Sequence, residues 1–261
     1  MDFLVVCLAA LLASGLTLFS GFGLGTILTP VFALFFPVQA AIAMTAVVHL
    51  ANNLFKIGLV GRDADWGVVV RFGMPAALAS IAGASLLGAI GALPPLGTYT
   101  LAGRLLEISP IKLTIGLLIL GFAFLELSRS FAGLSFAPKW LGLGGLLSGF
   151  FGGLSGNQGA LRSAFMIRTG LSKEAFVGTS AVCTVMVDAF RLIVYGVAFN
   201  ATDWYLFDGD TVPLVTAATL CAFLGAYAGK RLLNKVTLRS VERSVAGLLI
   251  LIGCGLVGGW L

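Results

Sequence analysis

The sequence predicts an all-α polytopic membrane protein made of two inverted repeats, each a broken helical hairpin followed by three transmembrane helices. Three observations predict this. Of the 261 residues, 59% are hydrophobic and only 10% charged, whereas a soluble domain carries about 25% charged residues. The apolar residues gather into runs of bilayer length, which takes about 20 residues per helix. The chain also resembles itself at a shift of 135 residues.

The apolar runs cover 3–36, 38–61, 67–92, 110–128, 140–167, 173–199, 211–233 and 241–261, and six of them read as ordinary spanning helices. The start, Met1-Asp2-Phe3, lacks the basic stretch of a signal peptide, so the first run is expected to stay in the mature protein. Two runs, 3–36 and 140–167, are too long for one span. Each is interrupted, by Ser20-Gly21-Phe22-Gly23-Leu24-Gly25 and by a stretch from Ser148 to Gly159 rich in glycine. Glycine weakens a helix by about 1 kcal/mol relative to alanine, so these are the places where a helix breaks.

In the self-comparison Ser20-Gly21 falls on Ser155-Gly156, Gln39 on Glu174, Phe55-Lys56 on Phe190-Arg191 and Gly61 on Gly196. The halves are expected at residues 1–130 and 131–261. Basic residues mark cytoplasmic loops. If both long segments double back as hairpins, inside loops carry 11 Lys and Arg and outside loops two, Arg104 and Lys112. If each long segment crosses once, the split falls to nine against four. The hairpin arrangement inverts one half against the other and puts both termini outside. Inverted repeats with helices broken near the midplane are a common build of secondary transporters.

Polar residues inside a span are expensive and mark a site by default. His49, Asn52, Asn53 and Lys56 occupy i, i+3, i+4 and i+7, one face of one helix; Thr184, Asp188 and Arg191 form a comparable face in its repeat mate. Each has a plainer use. The stripes can act as interhelical hydrogen-bond glue, Lys56 and Arg162 can snorkel to an interface, and Asp188 can neutralise Arg191 locally.

Beside the stripes, each break exposes backbone N–H groups at the start of a half-helix, where about half a positive charge resides. Many donors meeting there suit a small oxyanion. Gly149, Gly152, Gly153 and Gly156 are expected to serve both the break and close helix packing. The expected binding set is Ser20, Gly21, Gly23, His49, Asn52, Asn53, Ser155, Gly156, Asn157, Gln158 and Arg162. Lys56, Asp188 and Arg191 are expected to gate the path, with Asp188 available to a coupling proton.

The glycine-rich break running to Pro30, followed by Ala43-Met44-Thr45-Ala46, resembles the first repeat of the TauE/SafE sulfite exporter family. Ser155-Gly156-Asn157-Gln158-Gly159, followed by Val177-Gly178-Thr179-Ser180, is similar to the second, although Phe165 stands where Pro30 sits in the first. The resemblance covers the whole chain. It implies export of sulfite or an organosulfonate such as sulfoacetate across a bacterial inner membrane, driven by an ion gradient, and the inverted repeats favour alternating access. The partners expected are that small sulfur-containing anion and the surrounding lipid. Whether copies associate stays open, as do a passive anion channel and a carrier of another small organic anion.

Other classes fit poorly. Nucleic acid is excluded as a partner because the 16 Lys and Arg sit mostly in loops rather than on one basic face. Four cysteines lie singly in apolar runs and there is one histidine, so no metal site or cofactor is expected. Gly153-Leu154-Ser155-Gly156 matches the G-x-S-G of rhomboid proteases, but a serine nucleophile needs a base within reach. The only histidine, His49, lies a hundred residues upstream, whereas rhomboids carry theirs downstream. The chain is not expected to be an enzyme.

Overall fold

The computed structural model describes residues 2–17, 23–101, 103–128, 134–198, 209, 211–232 and 238–261. The first long apolar run becomes α1 (Asp2–Thr17) and α2 (Leu24–Ala33). After Pro37 comes α3 (Val38–Val60) and then α4 (Trp66–Gly91), whose second turn, Val69–Gly73, is π-helical. Two short strands, β1 (Gly97–Leu101) and β2 (Arg104–Ile108), lead into α5 (Pro110–Leu127). The second long run becomes α6 (Leu141–Ser155) and α7 (Gly159–Met166). They are followed by α8 (Lys173–Ala198), α9 (Thr211–Leu232) and α10 (Leu238–Val257).

Local chemistry sets several of these ends. Asp65 caps α4 by accepting from Val68 N–H at 2.9 Å, while its own N–H donates to Thr179 Oγ1 of α8 at 2.9 Å. That capping ties the α3–α4 turn to a helix over a hundred residues away. Ser109 caps α5, with Pro110 in the first turn, where a missing N–H does no harm. The stretch between α4 and α5, read from sequence only as an outside loop, pairs as an antiparallel hairpin in the register Tyr99↔Leu106, closed at Gly103 with φ of 77°. Alternating Thr98, Tyr99 and Thr100 favour a pleated strand over a helix. Tyr99 Oη donates to the Gly258 carbonyl, which anchors the hairpin beside the end of α10.

Among the described residues four helical stretches are long and apolar enough to cross a membrane: Val38–Asp63, Trp66–Gly91, Lys173–Val197 and Thr211–Gly229. The apolar part of α5, Pro110–Leu125, and the described apolar part of α10, Ala246–Val257, are shorter, and the two helices pack on each other. Large apolar side chains such as Leu4, Leu8 and Leu12 on α1 or Leu220 and Leu224 on α9 face outward. Rows of this kind belong against lipid rather than water. The protein is a multi-pass membrane protein.

Among the described residues three apolar clusters form the interior. One joins α1, α2, α3 and α9 through Leu28, Phe32, Met44 and Leu214. Another joins α4, α6, α7 and α8 through Phe72, Leu141, Phe165 and Val187. The third, between them, takes in α3, α5, α8 and α10. Two interfaces are unusually close. A Cβ added to Gly145, Gly149 or Gly153 of α6 would run into the carbonyls of Phe72, Ala76 or Ser80 on α4. On the other side, one added to Gly225 or Gly229 of α9 would run into Leu11 or Gly15 of α1. Small residues at a four-residue spacing let backbones touch, and in lipid that contact replaces hydrophobic driving force.

Candidate functional site

The site grows from the end of α6. Gly156 terminates the helix in a left-handed conformation, φ 82°, with its N–H on the Gly152 carbonyl at 2.9 Å. That conformation suits glycine above all other residues. Asn157 and Gln158 follow, and α7 starts at Gly159. The start of α2 meets this break directly. The Cβ position at Gly23 lies 3.8 Å from Gly159 N, and the one at Gly25 lies 2.8 Å from the Gly156 carbonyl oxygen. Two helix N-termini therefore abut deep in the molecule, each carrying about half a positive charge.

The donors at this junction outnumber what the protein gives them. Among the described residues, the backbone N–H groups of Asn157, Gly159, Ala160 and Leu161 make no hydrogen bond. Asn52 Nδ2, Gln158 Nε2 and Arg162 Nε are likewise buried and without a partner. Asn157 Oδ1 and the hydroxyls of Thr29, Thr45 and Ser180 are also unsatisfied. Buried polar groups normally find partners, so donors left unmatched in this way suit an acceptor-rich ligand.

Around the junction runs a polar chain between α3 and α8. His49 Nδ1 lies 2.8 Å from Asp188 Oδ2, and Asp188 Oδ1 lies 2.8 Å from Arg191 NH2. Arg191 NH1 then donates to the Gly152 carbonyl at 3.0 Å, and Tyr195 Oη donates to the Gly153 carbonyl. Asp188 and Arg191 are both fully buried. Arg162 is half-buried and donates through NH1 to Thr184 Oγ1 at 2.5 Å. Lys56, buried on α3, lies within electrostatic reach of Arg162.

The residues expected from sequence divide accordingly. Gly23, Gly156, Asn157 and Gln158 meet at the junction; Ser20 and Gly21 lie outside the described residues. Asn52 accepts from Ser14 Oγ at 3.0 Å and keeps its amide protons unmatched. Asn53 turns back to its own helix, donating to the His49 carbonyl at 2.8 Å, and Ser155 does the same toward Phe151 at 3.1 Å. His49, Asp188 and Arg191 belong to the linked chain. Sequence reasoning missed Tyr195, although it follows Arg191 by four residues and extends the same helical face. It also missed Ser14, whose only signal is a lone polar residue in an apolar run, and left out Thr29, which reaches within 3.6 Å of the Cβ position of Gly156.

Among the described residues no three His, Cys, Asp or Glu side chains group as a metal site. What the arrangement offers is a positively polarised, donor-rich junction between two half-helices. No curated protein and no solved structure matches the chain. The family model described as sulfite exporter TauE/SafE matches residues 6–256, nearly the full length. The chain thus belongs to the TauE/SafE sulfite exporter family, whose members are membrane transporters and not enzymes.

Proposed function

We propose that the protein is a secondary transporter that exports a small sulfur oxyanion or organosulfonate, such as sulfite or sulfoacetate, across a bacterial inner membrane by alternating access. One observation carries the proposal: the N-termini of α2 and α7 abut, with the unmatched donors Asn52 Nδ2, Gln158 Nε2 and Arg162 Nε on the elements around them. Two positive helix ends and buried cations repel one another in a low dielectric, and an anion between them relieves that repulsion. A trigonal or tetrahedral oxyanion supplies several acceptor oxygens at once. Asn52, Gln158 and Arg162 bind it beside the backbone donors, and Lys56 attracts it into the path.

Residues 1–130 and 131–261 act as inverted halves in this scheme. The reciprocal packing supports it, since the first helix of each half lies along the fourth helix of the other, α1 on α9 and α6 on α4. Cysteines introduced at Ala64 and Leu134 test the topology. Both should label from the cytoplasmic side, and periplasmic labelling at both overturns the inversion.

The function itself is tested by counterflow in proteoliposomes. Unlabelled sulfite trapped inside should drive transient accumulation of radiolabelled sulfite above equilibrium. Equilibration with no overshoot identifies a passive channel instead. Uptake of a carboxylate with no sulfite competition identifies a carrier for a different organic anion.

A further inference from the structure

The break between α6 and α7 is held partly by side chains. Had the helix run on from Ser155, Asn157 N–H would bond the Gly153 carbonyl. That carbonyl is taken instead by Tyr195 Oη, and Arg191 NH1 shares the Gly152 carbonyl with Gly156 N–H. Ser148 Oγ donates to the Gln158 carbonyl at 3.0 Å. Three carbonyls at the break, those of Gly152, Gly153 and Gln158, are thus supplied with donors by side chains of α8 and α6. The donors on the other side, the N–H groups of Asn157, Gly159, Ala160 and Leu161, have received nothing in exchange among the described residues.

We propose that Tyr195 and Arg191 are positioning residues that hold this break open, so that its backbone N–H groups remain available to the anion. The physical need is clear in lipid, where each unsatisfied carbonyl costs several kcal/mol and a bare break tends to close by re-forming helical bonds. By occupying the Gly153 carbonyl, Tyr195 competes for the acceptor to which Asn157 N–H would return, and Arg191 holds the neighbouring Gly152 carbonyl beside it. Gly156 is required for the same reason. Arg191 NH1 lies 3.1 Å from where its Cβ would be, so any side chain there would press on the arginine.

Asp188 balances the arginine's charge and passes the link to His49 on α3, which fixes the guanidinium in place. Burial agrees, as Arg191 is 0% and Tyr195 1% exposed. Neither side chain is open to a passing ligand; they act through the backbone they hold. As the anion's place at the junction comes from the function proposed above, the effect on affinity rests on that reading, while the effect on the backbone does not.

Tyr195→Phe tests both parts separately. In the full-length protein without sulfite, hydrogen exchange of the Asn157 amide should slow severalfold, because the freed Gly153 carbonyl can accept it. In proteoliposomes the KM for sulfite should rise about tenfold while the maximal rate stays within about twofold. Arg191→Lys, which keeps the charge opposite Asp188 but cannot span Asp188 and Gly152 together, should raise KM in the same direction and serves if the tyrosine variant fails to fold. Unchanged exchange at Asn157 in Tyr195→Phe overturns the proposal, whatever the transport result. Altered exchange with no sulfite transport by the unmodified protein leaves the positioning role standing and overturns the sulfite assignment. A lowered Tm with unchanged KM and unchanged exchange reduces Tyr195 to packing and also overturns it.

Discussion

Replacing Asp188 by Asn is the sharpest probe of the chain that joins α3 to α8. The carboxylate holds His49 Nδ1 and Arg191 NH2, each at 2.8 Å, and all three side chains are shielded from solvent. An amide of the same shape keeps one acceptor oxygen and no charge, so the Arg191 guanidinium stays buried with only neutral partners. Removing one member of a buried pair costs about 3–5 kcal/mol, because the other charge is left uncompensated. For a chain of this size that corresponds to a fall in Tm of roughly 10 °C. Arg191→Gln should be similarly harmful, since it strands the carboxylate. The double variant, with both charges gone, should be less damaged than the sum by about 2 kcal/mol. Thermal unfolding of the four proteins in one detergent reads the cycle directly. Additive losses, or a drop below about 3 °C in Asp188→Asn, would falsify the idea that this pair carries structural charge.

Three further outcomes follow from geometry. Gln158→Ala should weaken sulfite binding about tenfold or more, the scale of a hydrogen bond to a charged group. Its Tm should stay within about 2 °C, because Gln158 Nε2 bonds nothing in the protein; equal affinity in calorimetry removes it from the site. Lys56→Gln should slow transport more than it lowers equilibrium affinity, and the deficit should shrink in high salt as screening removes steering. If binding is abolished at every ionic strength, the lysine contacts the anion and is no gate. Gly149→Val drives a side chain into the Ala76 carbonyl and should lose about 3 kcal/mol or fail to fold, while Gly121→Val, with nothing within 4 Å, should melt close to the parent protein. Similar melting of the two valine variants contradicts the close α4–α6 contact.

Much of the helical layout was legible because apolar run length is a strong signal in a membrane chain. The run 173–199 became α8 at Lys173–Ala198, and the interruption around Gly156 became the end of α6. Periodicity also put His49, Asn52 and Lys56 on one face, and all three are buried. What periodicity cannot give is the partner across space. Asn53 shares the polar stripe yet bonds its own helix, and Ser155 repeats Ser20 in sequence yet donates to Phe151. Tyr195 escaped notice because a single tyrosine in an apolar run carries no pattern of its own; only its reach to Gly153 reveals its use. The β1–β2 hairpin escaped because five-residue strands leave little pattern, and the tie from Tyr99 to Gly258 is long-range.

The bare glycine contacts between α6 and α4, and between α9 and α1, have a mechanical consequence. An interface of interdigitating side chains yields by changing rotamers, in small and inexpensive steps. One made of backbone against backbone has no rotamers to change, and a modest slide brings a neighbouring side chain onto a carbonyl. Each pair therefore resists shear as a single stiff rod. Interfaces of side-chain contacts, such as that between α3 and α8 where the polar chain runs, keep the freedom to yield in such small steps.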